Sequence, residues 1–294
     1  MIEVRMDSNA GNKIRLTTVP VYKRIAPEVP PLHLSPSSVI VFRQCRQRYK
    51  FSYIDKLGDV FGRPRPYFTM ANHVHSTLKD FMSLKPALRS PAVMESLLQQ
   101  NWQRNRTGFR DEKEEQVWME RALSQLRRFI ASYDMTAKPV MVEKYLEVEV
   151  TAGLVLSGRI DRVDRESDGG LHIIDYKTGN IPDQIDWTQL ELAALMVADK
   201  FPKARVNKIS YLYLKEQATE TASLSSERLG EIRWSLLSLA DKVRREKKFL
   251  PSPGWWCGNC DFISICPARA EAEPFSTTSC QLELWEHIGE ESRL

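Results

Sequence analysis

Hydrophobic and polar residues alternate with a period of two near the middle of the chain. Leu171, Ile173, Asp175 and Lys177 occupy alternate positions, so a β-strand would project all four from one face. The run 154–163 is also rich in β-branched and apolar residues, and the Ser-Asp-Gly-Gly segment between the two runs is a strong turn signal. The sequence therefore predicts a β-hairpin over 154–177.

The predicted turn also fixes which residues of the hairpin meet. If the turn is centred on Asp168, the numbers of cross-strand partners sum to 336, and Asp161 then faces Asp175. Opposed residues have Cβ atoms about 4.5 to 5.5 Å apart, and a slip of one residue would move these side chains to different faces. Two carboxylates this close repel, so either one of them is protonated at a raised pKa or a hard cation such as Mg²⁺ or Mn²⁺ neutralises both. Lys177 beside such an ion suits phosphodiester hydrolysis. A solvated hairpin with ordinary salt bridges is the common alternative for an isolated Asp-x-Lys pattern.

Apolar positions at intervals of three and four predict helices on both sides of the hairpin. Ser35 and Pro36 are typical of a helix start, and Cys45 falls on the apolar stripe that follows them. His75 lies near the apolar face of a second predicted helix, where a histidine is more often packed in the core than bound to a metal. The remaining predicted elements are helices over 67–82, 91–136, 186–200 and 225–248, and strands over 145–150 and 209–214.

Composition and charge exclude few classes of function. The 294 residues are 42% hydrophobic and 27% charged, which is ordinary for a globular protein, and a net charge of +4 permits a nucleic-acid partner without requiring one. No apolar run reaches the 18 residues of a membrane span, and the first residues lack the apolar core of a signal peptide, so we expect a cytoplasmic protein that does not bind membranes. We expect an N-terminal arm at 1–30, a main domain at 31–270 and a tail at 271–294 that can form an amphipathic helix.

The cysteines indicate a metal centre. Five cysteines, an odd number, argue against a disulfide framework, and Cys257, Cys260 and Cys266 form a C-x2-C-x5-C cluster. Cys45 and Cys280 are the thiols left to supply a fourth ligand. Four thiolates suit zinc or an iron–sulfur cluster, and three clustered ligands with one distant ligand favour iron–sulfur without proving it.

Three short motifs resemble the PD-(D/E)XK nucleases of the RecB type. They are Gly-Arg-Ile-Asp-Arg-Val-Asp at 158–164, Ile-Asp-Tyr-Lys-Thr-Gly at 174–179 and Gln-Leu at 189–190. The resemblance implies that Asp161 and Asp175 bind a divalent metal, with Asp164 as a rival acid. It also implies that Lys177 is the catalytic lysine, that Gln189 assists it, and that the backbone carbonyl of Tyr176 is a further metal ligand.

The same resemblance extends to the helices before and after the hairpin. His75 matches a histidine that reaches the metal in this family, although Ala71 stands where a glycine is expected; His73 is the weaker candidate. The family tyrosine after the glutamine is replaced here by Ala193, which puts an aromatic contact to DNA in doubt. A family glutamate before the hairpin corresponds to one of three residues that the sequence does not distinguish, namely Glu143, Glu147 and Glu149.

The cysteines resemble those of AddB-type nucleases and of CRISPR adaptation nucleases. Those proteins carry one cysteine before the nuclease motifs and three after them, and the four bind a 4Fe-4S cluster. Cys45 matches the early position, which leaves Cys280 as a bystander. The resemblance implies a structural cluster that staples the N-terminal helix to the C-terminal segment across 211 intervening residues.

Together these features predict an α/β fold with a central mixed β-sheet flanked by helices, as in restriction endonucleases, and an iron–sulfur-stapled helical region. The function expected is a Mg²⁺- or Mn²⁺-dependent DNA nuclease, acting as an exonuclease on single-stranded ends in DNA repair, recombination or CRISPR adaptation. One alternative is a non-catalytic DNA-binding scaffold subunit of a helicase or CRISPR adaptation complex. The chain has no P-loop, so helicase activity would come from another polypeptide. A zinc-stabilised protein-interaction module is a third possibility.

Overall fold

The computed structural model describes residues 30–275, and in these residues six strands form one mixed sheet. The order along the sheet is β1-β3-β4-β5-β6, and β2 also pairs with β3. The β1–β3 and β4–β5 pairs are parallel, and the other pairs are antiparallel. The strands are β1 (Leu32–Leu34), β2 (Met141–Thr151), β3 (Leu154–Arg165), β4 (Leu171–Lys177), β5 (Val206–Tyr213) and β6 (Ala218–Ser223).

Helices cover both faces of this sheet, so the predicted α/β fold with a mixed sheet flanked by helices is confirmed. They are α1 (Pro36–Gln44), α2 (Arg46–Tyr49), α3 (Gly58–Phe61), α4 (Pro66–Met82), α5 (Pro91–Trp102), α6 (Glu112–Ser132), α7 (Thr188–Lys200), α8 (Ser226–Arg245) and α9 (Arg269–Ala272). One hydrophobic core lies between the sheet and α1, α7 and α8, and a second core lies between the sheet and α4, α5 and α6. Successive residues of β4 enter different cores, because alternate side chains of a strand point to opposite faces.

Local signals set most helix starts. Ser35 accepts a hydrogen bond from the backbone N–H of Ser38, Ser38 returns one to Ser35, and Pro36 occupies the first turn, so α1 begins where the sequence predicts. The helix ends earlier than its apolar stripe suggests. Cys45 has an extended backbone (φ −152°, ψ 111°) that separates α1 from α2, although its side chain is buried as expected.

The prediction of one continuous helix over 91–136 was wrong. The structure has α5 and α6 there, joined by a loop at 103–111. Asp111 caps α6 by accepting a hydrogen bond from Glu114 N, and Gly108 in the loop has a left-handed backbone (φ 92°). The turn signals were therefore present in the sequence, whereas the short strands β1 and β6 were not predicted.

The hairpin of β3 and β4 has the predicted register. Paired residues such as Arg162 with Ile174 and Asp164 with His172 have numbers that sum to 336. Gly169 adopts a left-handed conformation (φ 84°), and Glu166 N donates to Gly170 O to close the turn.

Some predictions fall outside the described residues. The N-terminal arm, apart from Pro30, and the amphipathic helix of the tail belong to this group, as does Cys280. Within residues 30–275, none of the helices is long and apolar enough to span a membrane.

Candidate active site

The acidic site lies where the hairpin strands separate. β1 and β4 pair with opposite ends of the same edge of β3, and the β3–β4 ladder stops at Arg162 and Ile174. Asp161 and Asp175 would form the next pair, but Asp161 Oδ2 instead accepts a hydrogen bond from Tyr176 N at 3.0 Å. Both carboxylates are more than nine-tenths buried. The strands thus open into a cleft with one acid on each side of the opening.

A backbone irregularity turns a third acid towards this cleft. The β2–β3 ladder pairs Val142 with Arg162 and Lys144 with Ile160, and it omits the step between them, which is Glu143 opposite Asp161. Glu143 has a left-handed backbone (φ 45°), which is rare for a residue with a side chain. On β3, residues 154, 156 and 160 face the α7 side, and beyond the irregularity residue 163 faces that side too, so the strict alternation of faces is broken.

These acids meet a histidine from α4. His75 Nδ1 lies 3.2 Å from Asp161 Oδ2 and 3.4 Å from Glu143 Oε1. One ligand atom from each of His75, Glu143 and Asp161 falls within 4.8 Å of the other two. We call these three residues with Asp175 the acid centre. Carboxylates this close repel one another, and one imidazole nitrogen with several carboxylate oxygens is a donor set that suits a divalent cation.

Lys177 and Gln189 form a hydrogen-bonded unit with Asp175. Lys177 Nζ lies 3.1 Å from Asp175 Oδ2 and 2.7 Å from Gln189 Oε1, and Gln189 Nε2 donates to Asp175 Oδ1 at 2.9 Å. The ammonium group also lies 4.9 Å from the centre of the Tyr211 ring. Gln189 is the second residue of α7, so this helix holds the lysine and the acid of β4 in fixed positions. Both ends of its amide therefore contact protein groups.

Tyr176 contributes its backbone to the site and its side chain to the core. The ring is 1% exposed and packs edge-on against His75 and Phe129, and burial raises the pKa of its hydroxyl to about 12. The N–H and C=O of one residue in a strand point to the same side. Because Tyr176 N–H points to Asp161, its carbonyl also points towards the opening between the strands.

The structure places the weaker candidates away from the acid centre. His73 is buried beside Trp102, with Nε2 2.7 Å from Asn105 O, and burial lowers its pKa. Asp164, the rival acid, accepts a hydrogen bond from Arg162 Nε at 2.8 Å and does not line the cleft that contains the acid centre. Glu147 is exposed, and Glu149 accepts a bond from Gly153 N, so Glu143 is the glutamate that the fold brings to the acid centre.

The acid centre lines a cleft of about 640 Å³. Its walls are the segment 58–65, which begins with α3, one face of α4 and the loop 105–107, and its lining includes Asp161, Asp175 and Gln189. The cationic side chains that line it are those of Arg65, Lys79 and Arg159, and Arg159 Nη1 lies 3.6 Å from Glu143 Oε2. This cleft is large enough to receive an elongated polar ligand beside the acid centre.

Four cysteines surround a second and much smaller cavity. Cys45 at the α1–α2 break lines it together with Cys257, Cys260 and Cys266, which lie on consecutive tight turns, and we call these four residues the thiol centre. The cavity measures about 20 Å³, and its other walls include Phe51, Trp256 and Phe262. In residues 30–275, no three of the sulfur atoms come within 4.8 Å of one another. The compact arrangement of a preformed single-ion site is therefore not present there.

Burial controls the chemistry of these thiols. It raises the pKa of Cys260 to about 11 and raises the pKa values of Cys257 and Cys266, while the nearby Arg48 opposes the shift at Cys257 and Cys260. Cys260 is thus protonated at neutral pH unless a metal displaces the proton.

Comparison with known proteins places these observations in a family. The model of the PD-(D/E)XK nuclease superfamily matches residues 33–267, which is well over half of the chain. The comparison with curated proteins found no match. Among solved structures the chain is similar to SSO0001, with 14% identity, a TM-score of 0.38, and coverage of 81% of this chain and 86% of that one. The family match includes every residue of the acid centre and of the thiol centre.

Proposed function

The chain belongs to the PD-(D/E)XK nuclease superfamily, and on that premise we propose that it is a Mg²⁺- or Mn²⁺-dependent deoxyribonuclease. The nuclease domain would comprise residues 31–270. The observation that carries the proposal is the convergence of His75, Glu143 and Asp161 within 4.8 Å, beside a carboxylate that is bonded to Lys177. Acids from two strands and a histidine from a distant helix meet at one point of a polar cleft.

The residues of the acid centre fit a divalent cation. His75 Nδ1 and the carboxylates of Glu143, Asp161 and Asp175 would hold it, and the carbonyl of Tyr176 is a further ligand. When bound, the cation supplies a Lewis acid that neutralises charge on the scissile phosphate and activates water. The protein groups are held in place beforehand, because Tyr176 N–H orients Asp161 and Gln189 Nε2 orients Asp175.

Lys177 would stabilise the negative charge that develops at the phosphate and position the attacking water. Its ammonium is 12% exposed and held between Asp175 and Gln189, so it needs little reorganisation to act. Gln189 is then a positioning residue, since its amide joins the lysine to the acid. This role differs from direct contact with phosphate.

We further propose that the substrate is a single strand with a free end and that the protein acts as an exonuclease. A cleft of about 640 Å³, enclosed by two loops, has the size of a pocket for a drug-sized ligand and suits a few nucleotides better than a duplex. A helicase or a CRISPR adaptation protein would supply such ends, in DNA repair or in adaptation.

The thiol centre is proposed to bind a 4Fe-4S cluster of structural function. Four thiols and no other charged ligand line one apolar cavity, and Arg48 is close enough to offset part of the negative charge of the thiolates. The turns that carry Cys257, Cys260 and Cys266 would widen around the cluster. Zinc is the competing occupant, and metal analysis of anaerobically purified protein distinguishes the two.

The test of the nuclease proposal is cleavage of end-labelled single-stranded and duplex DNA with Mg²⁺ or Mn²⁺. Wild type is compared with Asp175→Asn, for which we expect a loss of about 10³-fold or more, because a metal ligand and the partner of Lys177 change together. The label at either end reports the polarity of cutting.

Asp164→Asn is the matched control, because it removes the rival acid, which pairs with Arg162 and does not line the cleft. It should cut DNA at a permissive temperature but unfold more easily by about 3 kcal/mol, since Arg162 is left buried without its carboxylate partner. If folded wild type cuts neither substrate, or if Asp175→Asn cuts as well as wild type, the scaffold function replaces the nuclease function.

A further inference from the structure

Arg65 stands at the far end of the cleft from the acid centre. It precedes the first residue of α4, and it lines the cleft that contains His75 and Asp161. Phe68 and Asn72 follow it at intervals of three and four and line the same cleft, so one face of α4 forms a continuous path from Arg65 to His75.

The segment that carries the cysteines holds this arginine. Arg65 Nη2 donates to Asp261 Oδ1 at 2.9 Å and to Asn259 O at 3.2 Å, and Nη1 donates to the hydroxyl of Tyr67 at 3.1 Å. Asn259 also donates to the Tyr67 hydroxyl at 2.7 Å. Asn259 and Asp261 flank Cys260, so the thiol centre and the start of α4 share one hydrogen-bonded network.

The guanidinium group keeps donors for a ligand. Of its five N–H groups, three are used in these hydrogen bonds within the part of the chain that the structure describes. The Nε–H and one Nη1–H remain, and the Arg65 side chain is 18% exposed. When a carboxylate holds one edge of a planar guanidinium group, the N–H groups on the other edge point in a fixed direction. Such an arrangement suits hydrogen bonding to a phosphate group.

The charges in the cleft require such a group. Four carboxylates line it, those of Asp59, Glu143, Asp161 and Asp175, against the three cations of Arg65, Lys79 and Arg159. With Lys177, whose ammonium lies 3.1 Å from Asp175 Oδ2, the charges of the protein alone balance, and one bound divalent cation makes the site positive towards a polyanion. Because three of the acids converge at the acid centre, the attraction at the opposite end depends on Arg65.

We propose that Arg65 binds a backbone phosphate of the nucleic-acid strand in the cleft, and that Asp261 and Asn259 position it for this contact. The inference rests on the proposed function and adds a substrate-binding residue together with a physical link from the thiol centre to substrate binding. Arg65 and His75 are ten residues apart, which is about 15 Å along a helix axis. At 3.4 Å or more per nucleotide, the bound phosphate lies at most about four nucleotides from the one that is cut.

The experiment measures binding of a fluorescent single-stranded oligonucleotide by anisotropy, with Ca²⁺ in place of Mg²⁺ and with a gel to confirm that the DNA stays intact. A set of oligonucleotides carries one neutral methylphosphonate linkage at successive positions. We expect wild type to lose about tenfold in affinity at one linkage within four nucleotides of the cleavage position. Arg65→Ala should bind the unmodified strand about tenfold more weakly and should be insensitive to the same linkage.

Two further variants separate a direct contact from a general structural role. Asp261→Asn should bind the oligonucleotide about threefold more weakly, with an unchanged content of thiol-bound metal. The double variant with Arg65→Ala should lose no more affinity than Arg65→Ala alone. Arg110→Ala is the control, because Arg110 is exposed and pairs with Asp111 away from the cleft. It should bind and melt as wild type does.

The outcomes distinguish this inference from the nuclease proposal. If wild type cuts DNA but Arg65→Ala retains wild-type affinity, or loses affinity while keeping the same response to every methylphosphonate, Arg65 does not contact phosphate and the inference is overturned. If wild type neither cuts nor binds DNA, the proposed nuclease function is wrong, and the inference about Arg65 is wrong with it. The contact is supported if wild type loses affinity at one linkage position and Arg65→Ala does not.

Discussion

The acid centre and the thiol centre each bring together residues that are distant in the sequence, but they do so on different kinds of structural element. The acid centre sets its ligands on regular elements, with His75 on α4 and the acids on β2, β3 and β4, at the wall of a cleft of about 640 Å³. The thiol centre sets its ligands on a helix break and on tight turns, around an apolar cavity of about 20 Å³. An open polar site can exchange ions and substrate, whereas a closed apolar site holds a permanent group.

The two centres should also differ in what they contribute, the acid centre to activity and the thiol centre to stability. The acid centre lies on a sheet covered by two hydrophobic cores, and these cores hold the strands whether or not a cation is bound. The segment 254–266 of the thiol centre contains no long helix or strand, only short turns of three to five residues, and it is tied to the rest of the domain by individual side chains such as Arg65 and Phe262. We therefore expect ligand removal to abolish catalysis at one centre and to weaken the fold at the other.

Cys257→Ser gives the largest effect expected on stability. If the thiol centre binds the proposed cluster, this variant removes a ligand that joins the C-terminal segment to the start of the domain, so it should lose about 3 kcal/mol or more of unfolding free energy together with the metal. Urea unfolding and metal analysis measure the two quantities on the same samples. Asp175→Asn should retain its thiol-bound metal, because the acid centre and the thiol centre line different cavities.

Cys280→Ser controls for the loss of any thiol. The resemblance to iron–sulfur nucleases leaves Cys280 outside the ligand set, so this variant should keep its metal and its stability. A protein in which Cys257→Ser and Cys280→Ser behave alike would contradict the contrast between the two centres, because the thiol centre would then contribute nothing to folding.

The sequence predicted what depends on neighbouring residues. Ser35 and Pro36 determine the start of α1, and the Asp-Gly-Gly turn determines the hairpin register, so both could be derived without a structure. Arg65 could not be singled out, because its role depends on Asp261, a residue 196 positions away. The choice of Glu143 was equally out of reach, since left-handed positions normally carry glycine or asparagine and a glutamate gives no such signal.

Substitution of Glu143 tests whether its left-handed backbone stores strain in the acid centre. The expected change in stability is of intermediate size. Glu143→Ala and Glu143→Gly both remove the carboxylate, so both should weaken divalent-cation binding equally, by about tenfold or more, in calorimetric titration. They differ in backbone freedom, because φ is 45° and only glycine adopts that conformation without strain. Glycine should therefore be more stable than alanine by about 1 kcal/mol in metal-free protein. Equal stability of the two variants would mean that residue 143 relaxes once its carboxylate is removed.

The smallest effect expected is a pH dependence confined to the thiol centre. Burial raises the pKa of Cys260 to about 11 in the folded protein, from an ordinary value of 9.0 that the unfolded chain retains. Between these values the folded state keeps a proton that the unfolded state has lost, so the stability of metal-free wild type should fall as the pH rises from about 9 to about 11.

Cys260→Ser should show a shallower decline over that range, and the tyrosines that titrate nearby are common to both proteins and cancel in the difference. Metal-loaded protein, in which the thiols are already deprotonated, should show no difference in slope that can be assigned to Cys260. Urea midpoints at successive pH values measure these slopes, and parallel curves for metal-free wild type and Cys260→Ser would show that folding does not raise the pKa of Cys260.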